Sequence, residues 1–391
     1  MLNYGQDSTF AGNKTTGSAN ATDSNGYGDF YYTPSTDFLA LNSANIEEPS
    51  ITPLNNDLPE DYFNTVLYTG DGTTSKAITG VGFQSDFTWI KARNAANRNT
   101  LQDSVRGAGK QLNSGFTAAD VDAGTAVGTS WFQSFDSDGF TVGKPNSGSY
   151  SGNEGTNGAY NYVAWNWKAG GTAASNTDGS ITSSVSANQD AGFSIVSYTG
   201  TGANATVGHG LSSAPEMYIV KGLAASNWSV YHSGTASDAE TDYLLLNSSA
   251  AAADLNTYWN DTAPTSSVFS LGTDSNVNGN TSTYIAYCFH SVEGYCDIGS
   301  YLANANADGP FIHTGLKPAF VLLRVASAAN AWFIYDNKRE GYNEVNDTLS
   351  PNYNTTEDNT YKLDLLSNGF KVRSSQNAHN QSAQTFIYIA F

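Results

Sequence analysis

Ile195-Val196-Ser197-Tyr198-Thr199-Gly200-Thr201-Gly202 is a strand running into a glycine turn, and the chain carries it in three versions. An earlier one is Val66-Leu67-Tyr68-Thr69-Gly70-Asp71-Gly72, and a looser one is Ile298-Gly299-Ser300-Tyr301. Landmarks follow in the same order each time. Phe87-Thr88-Trp89-Ile90-Lys91 corresponds to Met217-Tyr218-Ile219-Val220-Lys221 and to Phe320-Val321-Leu322-Leu323-Arg324, an apolar run ending in a base. These bases keep the spacing of Tyr68, Tyr198 and Tyr301. Each version closes on an aromatic strand: Tyr162-Val163-Ala164-Trp165-Asn166-Trp167, Tyr284-Ile285-Ala286-Tyr287-Cys288-Phe289 and Phe386-Ile387-Tyr388-Ile389-Ala390-Phe391. Repeats of this length are domain-sized units.

The composition fits strands and turns. Of 391 residues, 13% are aromatic, 14% are charged and 38 are glycine, which is neither helix-rich nor the aromatic-poor pattern of disorder. Helical signals are confined to 118–122 and Ala250 to Tyr258, where four consecutive alanines predict a short surface helix. The expected fold is all-β: tandem antiparallel β-sandwich domains, jelly-roll-like, each of six to eight short strands. Residues 1–58 form a leader of one or two strands with a Pro-punctuated connector through Pro49, Pro53 and Pro59. Residues 59–171 are unit one, 172–293 a linker plus unit two, and 294–391 unit three. Exposed strand edges would be covered by neighbouring units or subunits, so a homo-oligomer is expected.

The net charge of −19 disfavours nucleic acid and anionic lipid as partners, since no basic stripe offsets it. No run approaches the roughly 20 apolar residues of a membrane helix. The start lacks the basic and apolar regions of a secretory signal, which, with a composition of extracellular type, is consistent with release by lysis as part of a particle or with a dedicated secretion machine. Cys288 and Cys296 are read as a free-thiol pair, with a bridge across a hairpin as the alternative, and no cofactor or metal site is expected.

Candidate sites compete with structural explanations. Asp136-Ser137-Asp138-Gly139 resembles a cation loop, but unit three has Ser367-Asn368-Gly369 at the matching place, so a type I′ hairpin turn is the preferred reading. His209 and His313 precede Pro215 and Pro318, yet unit one has Thr79-Gly80 there, which favours a turn contact over a catalytic base. Asp103, His232 and Asp336 lie eleven or twelve residues after the three bases and are expected to pair with Lys91, Lys221 and Arg324. Paired Trp228 and Trp332 are read as shared packing. No elbow for a serine nucleophile and no local acid pair for glycoside cleavage stands out, so no catalytic residue is expected. Trp131, Tyr258 and Trp259, in less regular segments, are the candidates for stacking on glycans.

The run 82–91, with Asp103-Ser104-Val105-Arg106-Gly107, Ser134-Phe135-Asp136-Ser137-Asp138-Gly139-Phe140, the closing strand of unit one through Gly171, and the run 192–202, resembles a domain of tail-fibre and other virion proteins of marine tailed bacteriophages. The leader, with Asn3-Tyr4-Gly5-Gln6 and Phe30-Tyr31-Tyr32-Thr33-Pro34, resembles the closing strands of SPRY or concanavalin-like modules. The resemblance implies a non-enzymatic virion structural protein, a tail fibre or similar appendage at the particle surface, with other virion proteins as partners and loops facing host surface glycans. A capsid-decorating or head-fibre protein, a glycan depolymerase and a secreted bacterial adhesin are the alternatives.

Overall fold

The computed structural model describes residues 8–9, 12–13, 15, 21–45, 49–52, 56–144, 152–154 and 160–391. Asn3-Tyr4-Gly5-Gln6 and Pro53 lie outside them. The chain forms two compact units, Met1–Ser50 and Ile51–Phe391. In the first, the expected strands reduce to one bridge among the described residues, Ala21 with Phe30. The Asp23 carboxylate organises this segment by accepting from the amides of Asn25, Tyr27 and Ala40 and from the Asn45 side chain.

The regular structure of the larger unit is almost entirely antiparallel strand. Its three repeats share one strand order, in which the closing strand lies between the opening strand and the base-ended strand. In unit one Phe63–Thr69 pairs with Asn161–Trp167, which pairs with Phe87–Ala92. Unit two repeats this with Phe193–Thr199, Thr283–Phe289 and Met217–Gly222. Unit three uses Asp297–Leu302, Thr385–Ala390 and Phe320–Val325. A smaller sheet covers one face of each: 76–79 with 132–142, 205–208 with 268–271, and 311–313 with 363–372. The segment expected as a linker instead adds strands Ala174–Asn176 and Ser183–Asn188 to the edge of unit two.

Alternation along the closing strands divides their side chains between two cores. Tyr162 and Ala164, Tyr284, Ala286 and Cys288, and Phe386, Tyr388 and Ala390 face the small sheet of their own unit. Val163, Trp165 and Trp167, Ile285, Tyr287 and Phe289, and Ile387, Ile389 and Phe391 all enter a single core shared by the three units. Phe87 and Trp89, Met217 and Ile219, and Phe320 and Leu322 complete it from the base-ended strands. A void of about 20 Å³ among these rings marks where the repeats converge. The three sandwiches are therefore fused through their large sheets.

Every unit clamps its opening turn with a fully buried asparagine. Asn153, Asn278 and Asn380 accept from the amides of Asp71, Thr201 and Asn304 (3.0, 2.8 and 2.8 Å). Their Nδ2 atoms donate to the carbonyls two residues on, of Thr73, Ala203 and Asn306 (2.9, 2.7 and 2.7 Å). Replacing Asn278 by alanine strands an amide and the Ala203 and Gly272 carbonyls. This substitution is expected to reduce unfolding free energy by about 2–3 kcal/mol in urea titrations. A change below about 0.5 kcal/mol would mean that water replaces the clamp.

Two local expectations are corrected. Ala253–Asp254 is a strand against Asp242–Leu245, and Val121–Asp122 is a strand against Lys110–Asn113, so neither segment is helical. The described α-helices are Ser275–Asn278 and Asn377–Asn380, each carrying a clamp asparagine. The Asp136 hairpin is a turn, but not of type I′. Ser137 and Asp138 form its two-residue loop, and only Gly139 has positive φ, 135°. Gly369 repeats this at 155°, and a Cβ at either glycine would overlap the carbonyl of Ile78 or Ile312 on the adjoining strand.

Candidate functional site

The repeated polar residues meet at the seams between units. By strand parity Lys91, Lys221 and Arg324 point to the shared-core side, where all three are fully buried. They do not pair with Asp103, His232 and Asp336 as expected. Lys91 donates to the Asn97 carbonyl (2.7 Å), and Lys221 to the carbonyls of Gly222 and Ala224 (2.6 and 3.1 Å). Arg324 crosses to unit two and binds the carbonyls of Leu245, Ser248 and Ala250. Burial pushes both lysines down to about 8, with Glu357 opposing the shift at Lys91, and pushes Arg324 down to about 10. The acids take arginine partners three residues on: Asp103 with Arg106 and Asp336 with Arg339, both at 2.6 Å.

Two hydrogen bonds then recur at each seam. Trp228 Nε1 donates to the Asn113 carbonyl of unit one (2.9 Å), and Trp332 Nε1 to the Leu245 carbonyl of unit two (3.0 Å). Asn99 stands at the equivalent place in unit one and donates to Ser350 of unit three (3.1 Å). In the second set, Asp103 accepts from the Tyr287 hydroxyl (2.8 Å) and Asp336 from Trp165 Nε1 (3.0 Å). The third seam offers Ile389, which has no donor, where the others have Trp165 and Tyr287. His232 replaces the acid there and donates from Nε2 to the Tyr388 carbonyl (3.0 Å), while its Nδ1 accepts from the Gly234 amide. Unit one thus binds unit two, two binds three, and three binds one.

Acid should loosen this arrangement. Burial pushes His232 down to about 4 and His379 down to about 3. Both ring nitrogens of His379 lack a hydrogen bond among Phe333 and Tyr361. Because the folded values lie below the unfolded value near 6.5, their stabilisation is complete above about pH 6.5 and is lost as pH falls toward 4 and then 3. Denaturation between pH 7 and 4 should show His232 contributing on the order of 2 kcal/mol of acid sensitivity. His232→Gln should flatten that slope, and an unchanged slope would exclude the seam histidine as its source.

Of the glycan candidates, Trp131 is half-buried. The surface expectation for Tyr258 and Trp259 is corrected: they are 3% and 0% exposed. Tyr258 is stacked on Tyr243 at 3.6 Å, and Trp259 packs edge-on to Tyr218 while its Nε1 donates to the Asp242 carbonyl. Their rings fill the core of unit two, and the three candidates form no common site. His209 is buried in a turn, accepting from Leu211 and contacting the Thr265 carbonyl. His313 is exposed and one residue further from its following glycine. Asp138 accepts from the amides of Gly80 and Gly82, as a turn residue does. Cys288 and Cys296 are free and buried in different cores. Among the described residues no group of His, Cys, Asp and Glu could hold a metal ion.

Sequence reasoning missed a groove of about 760 Å³ on unit three, lined by Asn330, Phe333, Asp347, Tyr353, Glu357 and Tyr361 among others. Tyr353, 46% exposed, is among the lining residues. The Glu357 carboxylate is committed to Arg93 (2.6 Å) and Arg339 (3.3 Å), and Asp347 to Arg93, which ties unit one to unit three. These acids serve as ion-pair partners in a polar, aromatic-edged surface.

No curated protein is significantly similar to the chain. One family model does match it, over residues 58–391, which takes in the three units and all the seams. The chain accordingly belongs to the family described as Domain of unknown function (DUF7483).

Proposed function

We propose that the protein is a non-enzymatic structural protein of a bacteriophage particle, a tail fibre or similar surface appendage, which assembles as a homo-oligomer with other virion proteins and meets host glycans through its loops. The observation that carries this reading is the use made of the repeated polar side chains. The bases, the Asp103–Arg106 and Asp336–Arg339 pairs and the buried asparagines all bind main chain or one another, and so serve rigidity. A shared aromatic core adds to that stiffness. The acidic surface suits a body that must stay dispersed until assembly.

The first compact unit supports a role in attachment. Tyr32, Phe38 and Leu41 are 80%, 69% and 66% exposed there, an apolar display of the kind that interaction surfaces carry. Phe38→Ser with Leu41→Ser should lower the assembly mass measured by light scattering while leaving the circular dichroism of the body unchanged. The particle role is tested by antibody-gold labelling of purified virions, in which gold at the tail or its fibres is expected. Virions that lack the protein by mass spectrometry would overturn the reading, and gold confined to the capsid would reassign it to the head.

A further inference from the structure

The segment before unit two closes one side of that sandwich. Ser183–Asn188 pairs with the opening strand Phe193–Thr199, Ile181 bridges Val207 of the small sheet, and the Ser183 hydroxyl donates to the Gly208 carbonyl (2.9 Å). One stretch of chain therefore covers the edges of both sheets. Val196 and Tyr198 of the opening strand are 0% and 3% exposed beneath it, whereas their counterparts Gly299 and Tyr301 in unit three are half-buried. A sheet edge left unpaired is a template for a further strand.

Unit three has the corresponding side open among the described residues. Asp297–Leu302 and Phe311–His313 are the edge strands of its large and small sheets. The Ala303 amide donates to the Gln384 carbonyl, so odd-numbered residues face the closing strand while Ser300 and Leu302 turn their main-chain groups outward. Ser197 holds the place of Ser300 in unit two, and there it is paired with Ser184. Among the described residues neither Ser300 nor Leu302 has such a partner. Leu302 and Phe311 are 66% and 45% exposed, and Ser300 and His313 are exposed beside them. Unit one is open on the same side, but Lys76 stands on its small-sheet edge, a charge that discourages strand addition. Neither edge strand of unit three carries a lysine, an arginine or a proline.

Every strand of the described residues already belongs to a sheet, so the covering strand comes from another molecule. The edge suits its own copy. Paired antiparallel about Ser300, it sets Ser300 against Ser300, Leu302 against Ile298 and Asp297 against Ala303, so small meets small, apolar meets apolar, and no charge faces a like charge. We infer that a second copy of this chain docks here, its Asp297–Leu302 edge adding antiparallel to the same edge of the first across a twofold axis and covering Leu302 and Phe311 of both. The four-stranded large sheet of unit three would then run through eight strands, as many as unit two holds with its added pair. The inference rests on the homo-oligomer part of the reading above and is independent of the particle.

Sedimentation equilibrium and cysteine cross-linking of the full chain test it. Ser300→Cys treated with a short bismaleimide should give a covalent dimer on a denaturing gel, whereas Leu67→Cys on the edge of unit one should not. Leu302→Lys with Phe311→Lys should abolish that cross-link and halve the mass of the assembly, because it sets charge against apolar side chains at the contact. Its melting temperature in the monomer should be unchanged, since both side chains are exposed. The leader variant Phe38→Ser with Leu41→Ser should still cross-link through Ser300→Cys. An assembly whose mass survives the two lysines, with Ser300→Cys left uncross-linked, would overturn the inference and leave the homo-oligomer reading standing. A wild-type chain that sediments as a monomer would overturn both. Cross-linking through Leu67→Cys as complete as through Ser300→Cys would overturn the assignment to unit three.

Discussion

Asp336→Ala is expected to destabilise the folded chain by about 3–5 kcal/mol, because it leaves a buried cation without its counter-charge. Asp336 and Arg339 are both inaccessible at their side chains, and the carboxylate also accepts from Trp165 across the seam between units three and one. Arg339 would retain Glu357 at 3.3 Å and the Ile334 carbonyl, which is why the loss stays below that of a wholly isolated charge. Equilibrium denaturation of Asp336→Ala and of Asp336→Ala with Arg339→Met separates the two contributions. The double variant should regain part of the loss, since an apolar side chain removes the buried charge itself. If the single variant lost under about 1 kcal/mol, the pair would have to be solvated.

Trp228→Ala should cost about 3–5 kcal/mol, the range for deleting a large buried ring. Trp228 is fully buried in the shared core and its indole donates to Asn113 across the seam between units two and one. Trp228→Phe keeps most of the packing and removes only the donor, so it should cost less, about 1–2 kcal/mol. Thermal unfolding should remain a single transition in both variants, because the core they perturb belongs to all three units at once. Separate melting of unit two would show that the seams transmit less stability than their geometry implies.

The strands were legible because alternation is a local property. Val163, Trp165 and Trp167 against Tyr162 and Ala164 show two buried faces before any partner is known. What those faces meet is not local, and this is where the reading fell short. Tyr258 and Trp259 sit in an irregular stretch that folds back over Tyr218 and Tyr243, so their burial comes from tertiary contact. The alanines from Ala250 favour a helix by propensity. However, the Ala252 amide bonds Ala326 and the Ala250 carbonyl receives Arg324, so the seam between units two and three imposes an extended path.

The arginine pairing could have been found. Arg106 and Arg339 stand three residues after Asp103 and Asp336, whereas unit two has Thr235 after His232, and the presence of a base follows the presence of an acid. The buried asparagines were harder, since Asn153 lies eight residues before its closing strand while Asn278 and Asn380 lie five before theirs, in text already rich in asparagine. The groove acids are held by Arg93, 264 residues before Glu357, and no spacing rule brings those together.

The third seam, with His232 and Ile389 where its counterparts have an acid and a donor ring, shows what covalent linkage permits. In a ring of three identical chains every substitution is made in triplicate, and an exchange harmful at one contact is harmful at all of them. Here a single locus can change while two sound joints hold the body closed, so one side can be refitted for a new task without risking collapse.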